Sequence, residues 1–367
     1  MTTSLNAKLN SVKWGEYRFK DIFNNIYQGR RLKKDDQIAG DIPFVMAGVS
    51  NAGVVNYISN PVAIFPSNSI TVDIFGNTFY RSYSFGAGDD TGVYWDCENN
   101  YSQETMKFFS ISMSRSLNGR FDFGKKLRSS QSFNFKMMLP VNNEGIDFDF
   151  MEKFIAELEA ERIAELEAYL TAAGLKDYEL TPQEQKALDE FEDPKFSWQN
   201  YNVKSLFGAS TRGKRLKSAD RLSGYLPFVT AGESNEGVSA FIGNDVTVFA
   251  ANTTTIDMFG SAKYRNYEYG ADDHVTVVHT ENLLKHDAIF ITTSIHKASY
   301  TGKFDYGRNF YAKDADELMI SLPSENNKPY YSFMEILISA IQKLVIKDVV
   351  LFAERKITAH RQVAKSD

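Results

Sequence analysis

Two short segments of this 367-residue sequence set a glycine among cations: Gln28-Gly29-Arg30-Arg31-Leu32-Lys33-Lys34 and Arg212-Gly213-Lys214-Arg215-Leu216-Lys217. Glycine lets a backbone approach a phosphate closely, and neighbouring Arg and Lys supply the salt-dependent attraction that positions a protein on a duplex. Either segment alone reads better as a solvated surface loop; recurrence at the same place in both halves favours phosphate contact. Further candidates for the same surface are Asn51, Tyr80, Arg81, Lys125, Lys126 and Arg128 in the first half, and Asn235, Tyr264, Arg265 and Arg308 in the second. The tyrosines fit a core equally well. The loop Ser129-Ser130-Gln131-Ser132-Phe133-Asn134 offers the Ser, Gln and Asn types that read base edges in the major groove.

Familiar catalytic patterns are missing. Asn60-Pro61-Val62-Ala63 is the nearest approach to the Asn/Asp-Pro-Pro-aromatic motif of amino-methyltransferases, yet it lacks the second proline and the aromatic, and its counterpart reads Asn244-Asp245. Gly86-Ala87-Gly88-Asp89-Asp90-Thr91-Gly92 opens no long helix and reads as a turn rather than a nucleotide loop. No Walker A lysine, His-Glu-x-x-His or Gly-x-Ser-x-Gly pattern occurs. The duplicated acids Asp73/Asp257, Asp89/Asp273 and Asp122/Asp305 are conceivable as metal ligands or acid/base pairs, but hydrogen-bonded turn acids are the favoured reading. One cysteine, Cys97, and five histidines exclude a disulfide framework and a Cys-based zinc cluster, so no metal site is expected.

The elements that must position these residues come from a duplication. Residues 14–95 align without a gap on 198–279 at an offset of 184, with 35 of 82 positions identical. Arg31-Leu32-Lys33 returns as Arg215-Leu216-Lys217, Asp73-x-Phe75-Gly76 as Asp257-x-Phe259-Gly260, and Gly119-Arg120-Phe121-Asp122-Phe123-Gly124 as Gly302-Lys303-Phe304-Asp305-Tyr306-Gly307. Positions that differ (Val49/Glu233, Ala52/Glu236, Gln37/Arg221, Phe79/Lys263, Trp95/His279) are those expected to carry divergent readout. Short β-rich runs, Val62 to Phe65, Ser69 to Phe75 and Thr78 to Tyr83, are broken by turn residues. After each half the apolar period shifts from 2 to about 3.6. Phe150, Phe154, Leu158, Ile163, Leu166 and Leu170 predict a helix over about 147–173 with Gly174 at its C-terminus; Phe333, Leu337, Ile341, Leu344, Val345 and Phe352 predict a second over about 331–361. Neither stripe fits inside a domain of about 130 residues, so the two helices are expected to pack on each other. Residues 176–195, with Thr181-Pro182-Gln183-Glu184 as a helix start, form a polar connector.

The net charge of −6 argues against nucleic acid only until it is divided by segment. Residues 146–195 hold 15 acids against 5 bases, whereas residues 1–145 hold 16 bases against 13 acids. DNA contact through local patches needs only those patches to be basic, and the acidic remainder can sit on a face turned away from phosphate. No apolar run of about 18 residues and no signal-peptide core are present, so a cytoplasmic location without membrane contact is expected.

This order of domain and long helix, twice over, resembles the specificity (S) subunit of type I restriction-modification systems and of the related type IIB enzymes, along nearly the whole chain. The most family-like residues are Trp14-x-x-Tyr17-x-x-x-Asp21-Ile22-Phe23 with Trp198-x-x-Tyr201-x-x-x-Ser205-Leu206-Phe207, the Gly29-Arg30-Arg31-Leu32 loop, and Leu139-Pro140 and Leu322-Pro323 before the helices. The segment Glu165-Leu166-Glu167-Ala168-Tyr169-Leu170-x-x-x-Gly174-Leu175, with Tyr178-x-Leu180-Thr181, is similar to the family's spacer. The resemblance implies an α+β chain with pseudo-two-fold character. Target recognition domains at 1–145 and 196–328 would be separated by two long helices packed as an antiparallel coiled-coil-like pair, at 146–195 (with the connector) and 329–367. It also implies that each domain reads one half of a bipartite, asymmetric site in double-stranded DNA. The chain itself would be non-catalytic and without a cofactor, recruiting adenine methyltransferase (modification) subunits that use S-adenosylmethionine, and a restriction subunit or fused nuclease. Phe154, Leu158, Leu166, Leu170, Leu337, Ile341 and Leu344 would form the partner-binding helix faces. The rival readings are a duplicated protein- or glycan-binding adaptor and an enzyme with an unrecognised site.

Overall fold

A computed structural model of the chain describes residues 3–193 and 195–363. The chain divides into two compact units, one built on the chain up to Tyr169 together with the part from Arg355, the other on Leu170–Glu354.

The first unit opens with helix α1 (Thr3–Ser11), a stretch without a periodic apolar signal, and continues into the strand Lys13–Arg18. That strand pairs antiparallel with Lys136–Asn142, so the start and the end of the domain close on each other. Between them lie two four-stranded sheets. One has the spatial order Asn25–Gln28, Thr91–Trp95, Ser69–Asp73, Thr78–Arg81, all antiparallel. The other runs Val54–Ile58, Ala39–Val45, Phe85–Ala87, Ile64–Phe65 and contains one parallel pairing, Ala39–Val45 with Phe85–Ala87. The run expected at Val62 to Phe65 is thus a strand only at its last two residues.

Helix α2 (Gln103–Leu117) closes this domain. Ser102 caps it by accepting the Thr105 amide at 3.1 Å, and Met106, Phe109, Met113 and Leu117 fall on one buried face. They meet Phe19, Phe23, Ile70, Val72 and Tyr94 in the main core, where truncating a ring such as Phe109 costs about 3–5 kcal/mol.

The second unit repeats this plan with the same strand order: Thr211–Arg212, Val275–Val278, Thr253–Asp257, Ala262–Arg265 in one sheet, and Val238–Ile242, Ser223–Val229, Tyr269–Ala271, Val248–Phe249 in the other. The two long helices are α3 (Phe148–Ala172) and α6 (Tyr331–Val363). Between them the connector becomes helix α4 (Pro182–Glu192), begun by the Thr181/Glu184 capping box, and α5 (Lys285–Ser299) takes the place of α2.

Asp147 accepts the Phe150 amide at the start of α3, and Gly174, with φ +67°, ends it while the Leu175 amide donates to Leu170 O at 2.8 Å. One expectation needs correction. The first two turns of each stripe are consumed by the unit's own core: Met151, Phe154 and Ile155 join the first core, and Phe333, Met334 and Leu337 the second. A sheet covered by a single helix leaves apolar surface beside that helix, and those turns cover it. Leu158 is half-buried against the first core, Leu166 is half-buried and Leu170 buried, whereas Ile341 and Leu344 remain exposed. In the first unit Glu159 of α3 receives Lys107 of α2 at 2.6 Å and Lys356 of α6 at 3.9 Å.

Candidate nucleic-acid interface

Five loops meet at one edge of the first domain, tied by hydrogen bonds of their backbones to one another and to the Asp73 and Gln28 side chains. Asp73, buried at the end of its strand, accepts the amides of Phe75 and Asn77 within its own turn and of Gly48 from the 46–53 loop, at 2.8, 2.9 and 3.0 Å. The Ile74 amide reaches Asp90 O, and the Leu127 amide reaches Ile74 O, both at 2.9 Å. Gln28 spans the remaining gap, donating to Asp89 O at 3.0 Å and accepting the Ser129 amide at 2.8 Å.

The second domain repeats the scheme. Asp257 holds the amides of Phe259, Ser261 and Gly232, Phe310 donates to Met258 O at 2.8 Å, and Arg212 replaces Gln28 by donating to Asp273 O. Of the duplicated acids, Asp89 and Asp273 serve the edge through their backbone carbonyls, while Asp73 and Asp257 are turn acids. Asp122 and Asp305 do the same work, each accepting two amides, those of Gly124 and Lys125, and of Gly307 and Arg308. Asp272, Asp273 and His274 bring three ligand atoms within 4.8 Å of one another, but Asp272 already accepts the Leu216 amide and His274 already faces Asp273 at 3.2 Å.

From these anchored loops the cations project. Arg30, Arg31 and Lys33, with Lys125 and Lys126, are exposed on the first edge; Lys214, Arg215, Lys217 and Arg308 are exposed on the second. Gly29 and Gly213 are buried beneath them, and their role differs from the one expected. A Cβ on Gly29 would collide with Gly88 O, and one on Gly213 with Ala271 O. The close approach that requires glycine is to the chain's own 87–88 and 271–272 backbone, fixed by Arg30 and Lys214 amides donating to Ala87 O and Ala271 O at 2.9 Å.

Residues 11–168 and 196–350 each match the family described as the type I restriction modification DNA specificity domain. The chain belongs to this family. It is a specificity subunit of a restriction-modification system, and subunits of this family carry no catalytic centre of their own. It is 20% identical over 353 residues to the specificity subunit S.BcgI of the type II restriction enzyme BgcI from Heyndrickxia coagulans, covering 92% of this chain and 97% of that protein. In fold it is similar to the S subunit of a type I restriction-modification system from M. genitalium, with a TM-score of 0.54, 14% identity, and coverage of 97% of this chain and 95% of that one. Among the described residues, no helix is long and apolar enough to cross a membrane.

Several residues of the specificity subunit assigned to the DNA surface by sequence lie elsewhere. Arg81 and Arg265 are 1% exposed. Each guanidinium is an internal strut: Arg81 donates to Thr71 Oγ1, Tyr83 OH and Ala52 O, and Arg265 to Thr255 Oγ1, Tyr267 OH and Glu236 O. Burial lowers the Arg81 pKa, and the Tyr83 hydrogen bond opposes it. These struts hold the left-handed turns at Asn51 and Asn235, whose φ values are 47° and 48°. Both asparagines are exposed on that turn, which they adopt with little strain.

Tyr80 and Tyr264 are half-buried and donate to Asn68 and Asn252 at 3.0 and 2.9 Å; burial raises both phenol pKa values. Arg128 and Arg212 are exposed yet commit donors to Asp89 O and Asp273 O, and Arg212 also stacks 4.7 Å over Tyr311. In the polar loop Ser129 and Ser132 are buried, Ser132 bonded to Tyr94, which leaves Ser130, Gln131 and Asn134 exposed. Gln131 uses its carbonyl on the Arg128 amide.

Two of the divergent exchanges come in matched pairs. Tyr27 stacks on Trp95 at 5.3 Å where Thr211 bonds His279 at 2.9 Å. Val49 and Phe79 stand where Glu233 and Lys263 form an ion pair at 3.2 Å. Gln37 accepts from Asn56, whereas Arg221 donates to Leu216 O and stacks 5.0 Å over Phe228. Packing covariation thus accompanies two of the differences expected to carry readout, Trp95/His279 and Val49–Phe79/Glu233–Lys263.

Proposed function

We propose that each domain of this specificity subunit, 1–145 and 196–328, binds one half of a bipartite, asymmetric site in double-stranded DNA through its five-loop edge. The observation that carries this reading is the recurrence of exposed cations on a hydrogen-bonded loop edge in both units. Phosphate contacts need charges held at fixed places, and base readout needs loops that do not rearrange on binding. Arg30, Arg31, Lys33, Lys125 and Lys126 serve one half-site, and Lys214, Arg215, Lys217 and Arg308 the other. Helices of 25 and 33 residues extend about 37 and 50 Å, enough to separate two half-sites by one turn of B-DNA, roughly 34–36 Å. Packed antiparallel, they act as the ruler. The chain recruits, in the cytoplasm, methyltransferase subunits that bring S-adenosylmethionine, and a restriction subunit or fused nuclease; Ile341 and Leu344, exposed on α6, belong to the partner face.

The test is duplex DNA binding by the full chain against salt. Replacing Arg30, Arg31 and Lys33 by Ala should weaken binding to all sequences and reduce the slope of log affinity against log salt by roughly 0.9 per lost phosphate contact. An unchanged slope in a folded variant removes the loop from the interface. Failure of the unaltered chain to bind duplex DNA in a salt-dependent way removes the reading itself and favours the adaptor.

A further inference from the structure

The most exposed aromatics on the two loop edges occupy equivalent places. Phe123 is 84% exposed and Tyr306 86% exposed, at the tip of the duplicated turn Gly119 to Lys125 and Gly302 to Arg308. Four of the seven positions of this turn are identical between the copies, and the tip, though not identical, is aromatic in both. A single exposed ring is ordinary on a protein surface; two at equivalent tips, each beside exposed cations, stand where the DNA contact proposed above falls.

The tips are built to hold that ring still. Asp122 accepts the amides of Gly124 at 2.7 Å and Lys125 at 2.9 Å, closing the turn beneath Phe123; Asp305 does so beneath Tyr306 with Gly307 and Arg308 at the same distances. Phe123 leans on Phe75, centroids 5.0 Å apart with the rings tilted by 59°, and Tyr306 meets Phe259 edge-to-face at 5.3 Å, so each ring has one aromatic support and most of it projects. Both supports belong to the Asp73 and Asp257 turns, which anchor the loop edge. Cations flank the ring: Arg120, Lys125 and Lys126 in one copy, Lys303 and Arg308 in the other, all exposed. Each turn's single acid is occupied by backbone amides.

We propose that Phe123 and Tyr306 are stacking wedges, each entering the base stack of duplex DNA at one step of its half-site while the flanking cations grip the adjoining phosphates. The inference rests on the DNA-binding reading above and adds to it a deformation of the duplex. An aromatic ring inserted at a step partly unstacks it and makes the site's flexibility part of its recognition. A ring stacks on any base, so the wedge contributes affinity and a preference for deformable steps rather than a base code.

The experiment uses the full chain and a duplex selected by that chain from a randomised library, with 2-aminopurine placed in turn at each purine of both strands. Binding should raise the fluorescence at one step in each half-site. Phe123→Ala should abolish the rise in one half-site only and weaken binding roughly 5- to 100-fold, with the salt slope unchanged, because no phosphate contact is lost. Tyr306→Ala should do the same in the other half-site. Phe123→Tyr, which installs the second copy's residue, should restore both signals and excludes misfolding as the cause. The wedge is overturned if the unaltered chain binds with its normal salt slope but no position brightens, or if Phe123→Ala leaves brightening and affinity in place. Absence of salt-dependent binding by the unaltered chain would instead overturn the DNA-binding reading beneath it.

Discussion

The helix that precedes each domain is held to its unit by different means. In the first unit α1 meets α3 through Lys8 and Glu157, an ion pair with both side chains about half exposed. In the second, α4 meets α6 through Glu184, a buried carboxylate that accepts Ser339 Oγ at 2.6 Å, the Thr181 amide at 2.8 Å and Lys343 Nζ at 3.1 Å. Lys343 also pairs with Asp177 at 2.7 Å and donates to Glu179 O. The two helices hold comparable places: each leads into its domain's first strand and lines a groove with Trp14 or Trp198. Duplication preserved where the helix goes and left its wiring free to differ. The connector from Asp177 onward is tied down along with the second helix.

That contrast is broken most sharply at Lys343. Burial alone would raise the Glu184 pKa, but Ser339, the Thr181 amide and Lys343 together hold it at about 2. Lys343→Ala should destabilise the second unit by about 2–3 kcal/mol, because a buried carboxylate loses the cation paired with it. Lys8→Ala should cost the first unit under about 1 kcal/mol, since exposed pairs are hydrated and screened. Hydrogen exchange resolved by peptide reads both units in one sample. Equal losses of protection would show that the buried network confers no more than the exposed pair. Because the Glu184 carboxylate is favoured by folding, its contribution is present above about pH 4.5 and should fade as pH falls toward 2.

The sequence displayed the duplication, both long helices and the Thr181/Glu184 start of α4, since each rests on periodicity or a local capping pattern. It did not display α1, whose residues Thr3 to Ser11 carry no strong apolar period. Nor did it separate arginines that face solvent from those that do not. Arg81 and Arg31 look alike in the chain, and what buries Arg81 is a carbonyl 29 residues away, a contact only the folded turn at Ala52 creates. Gly29 was legible as a close-approach glycine, but the approaching backbone, Ala87 and Gly88, lies on another strand. Phe123 was visible as a repeat and invisible as a surface residue.

A second difference is smaller and depends on pH. At the start of α2, Thr105 and Ser102 both bond Glu152; at the matching place in α5, Leu284 provides no cap and Asp287 is buried facing Glu335, which His286 approaches at 3.1 Å. Burial, and then the charge of Glu335, push the Asp287 carboxyl up to about 6. The folded unit therefore keeps a proton that the unfolded chain releases near pH 4, so the Asp287 contribution to stability is greatest below that and is lost as pH rises through 6. Denaturant midpoints of the second unit should fall between pH 4 and pH 7, those of the first should show no matching step, and Asp287→Thr should flatten the profile. A decline that persists in Asp287→Thr assigns the proton elsewhere.

The smallest effect bears on what divergence between the copies means. Lys263 is largely buried and reaches Glu233 at 3.2 Å and Ser261 at 2.9 Å, while Glu233, held below the usual carboxylate range by Ser261 and then Lys263, is exposed. In the first domain the same two places hold Val49 and Phe79. If the four residues covary to satisfy packing, Glu233→Val leaves Lys263 with Ser261 alone. Adding Lys263→Phe, so that both positions carry the residue types of the first copy, should then recover part of the loss. The coupling in that double-mutant cycle should be about 0.2–1 kcal/mol and shrink in about 1 M salt. The selected half-site sequence should be identical for all four chains in the cycle. A changed base preference in Glu233→Val, with stability intact, would return the position to readout and limit the packing account to the Tyr27/Trp95 and Thr211/His279 exchange.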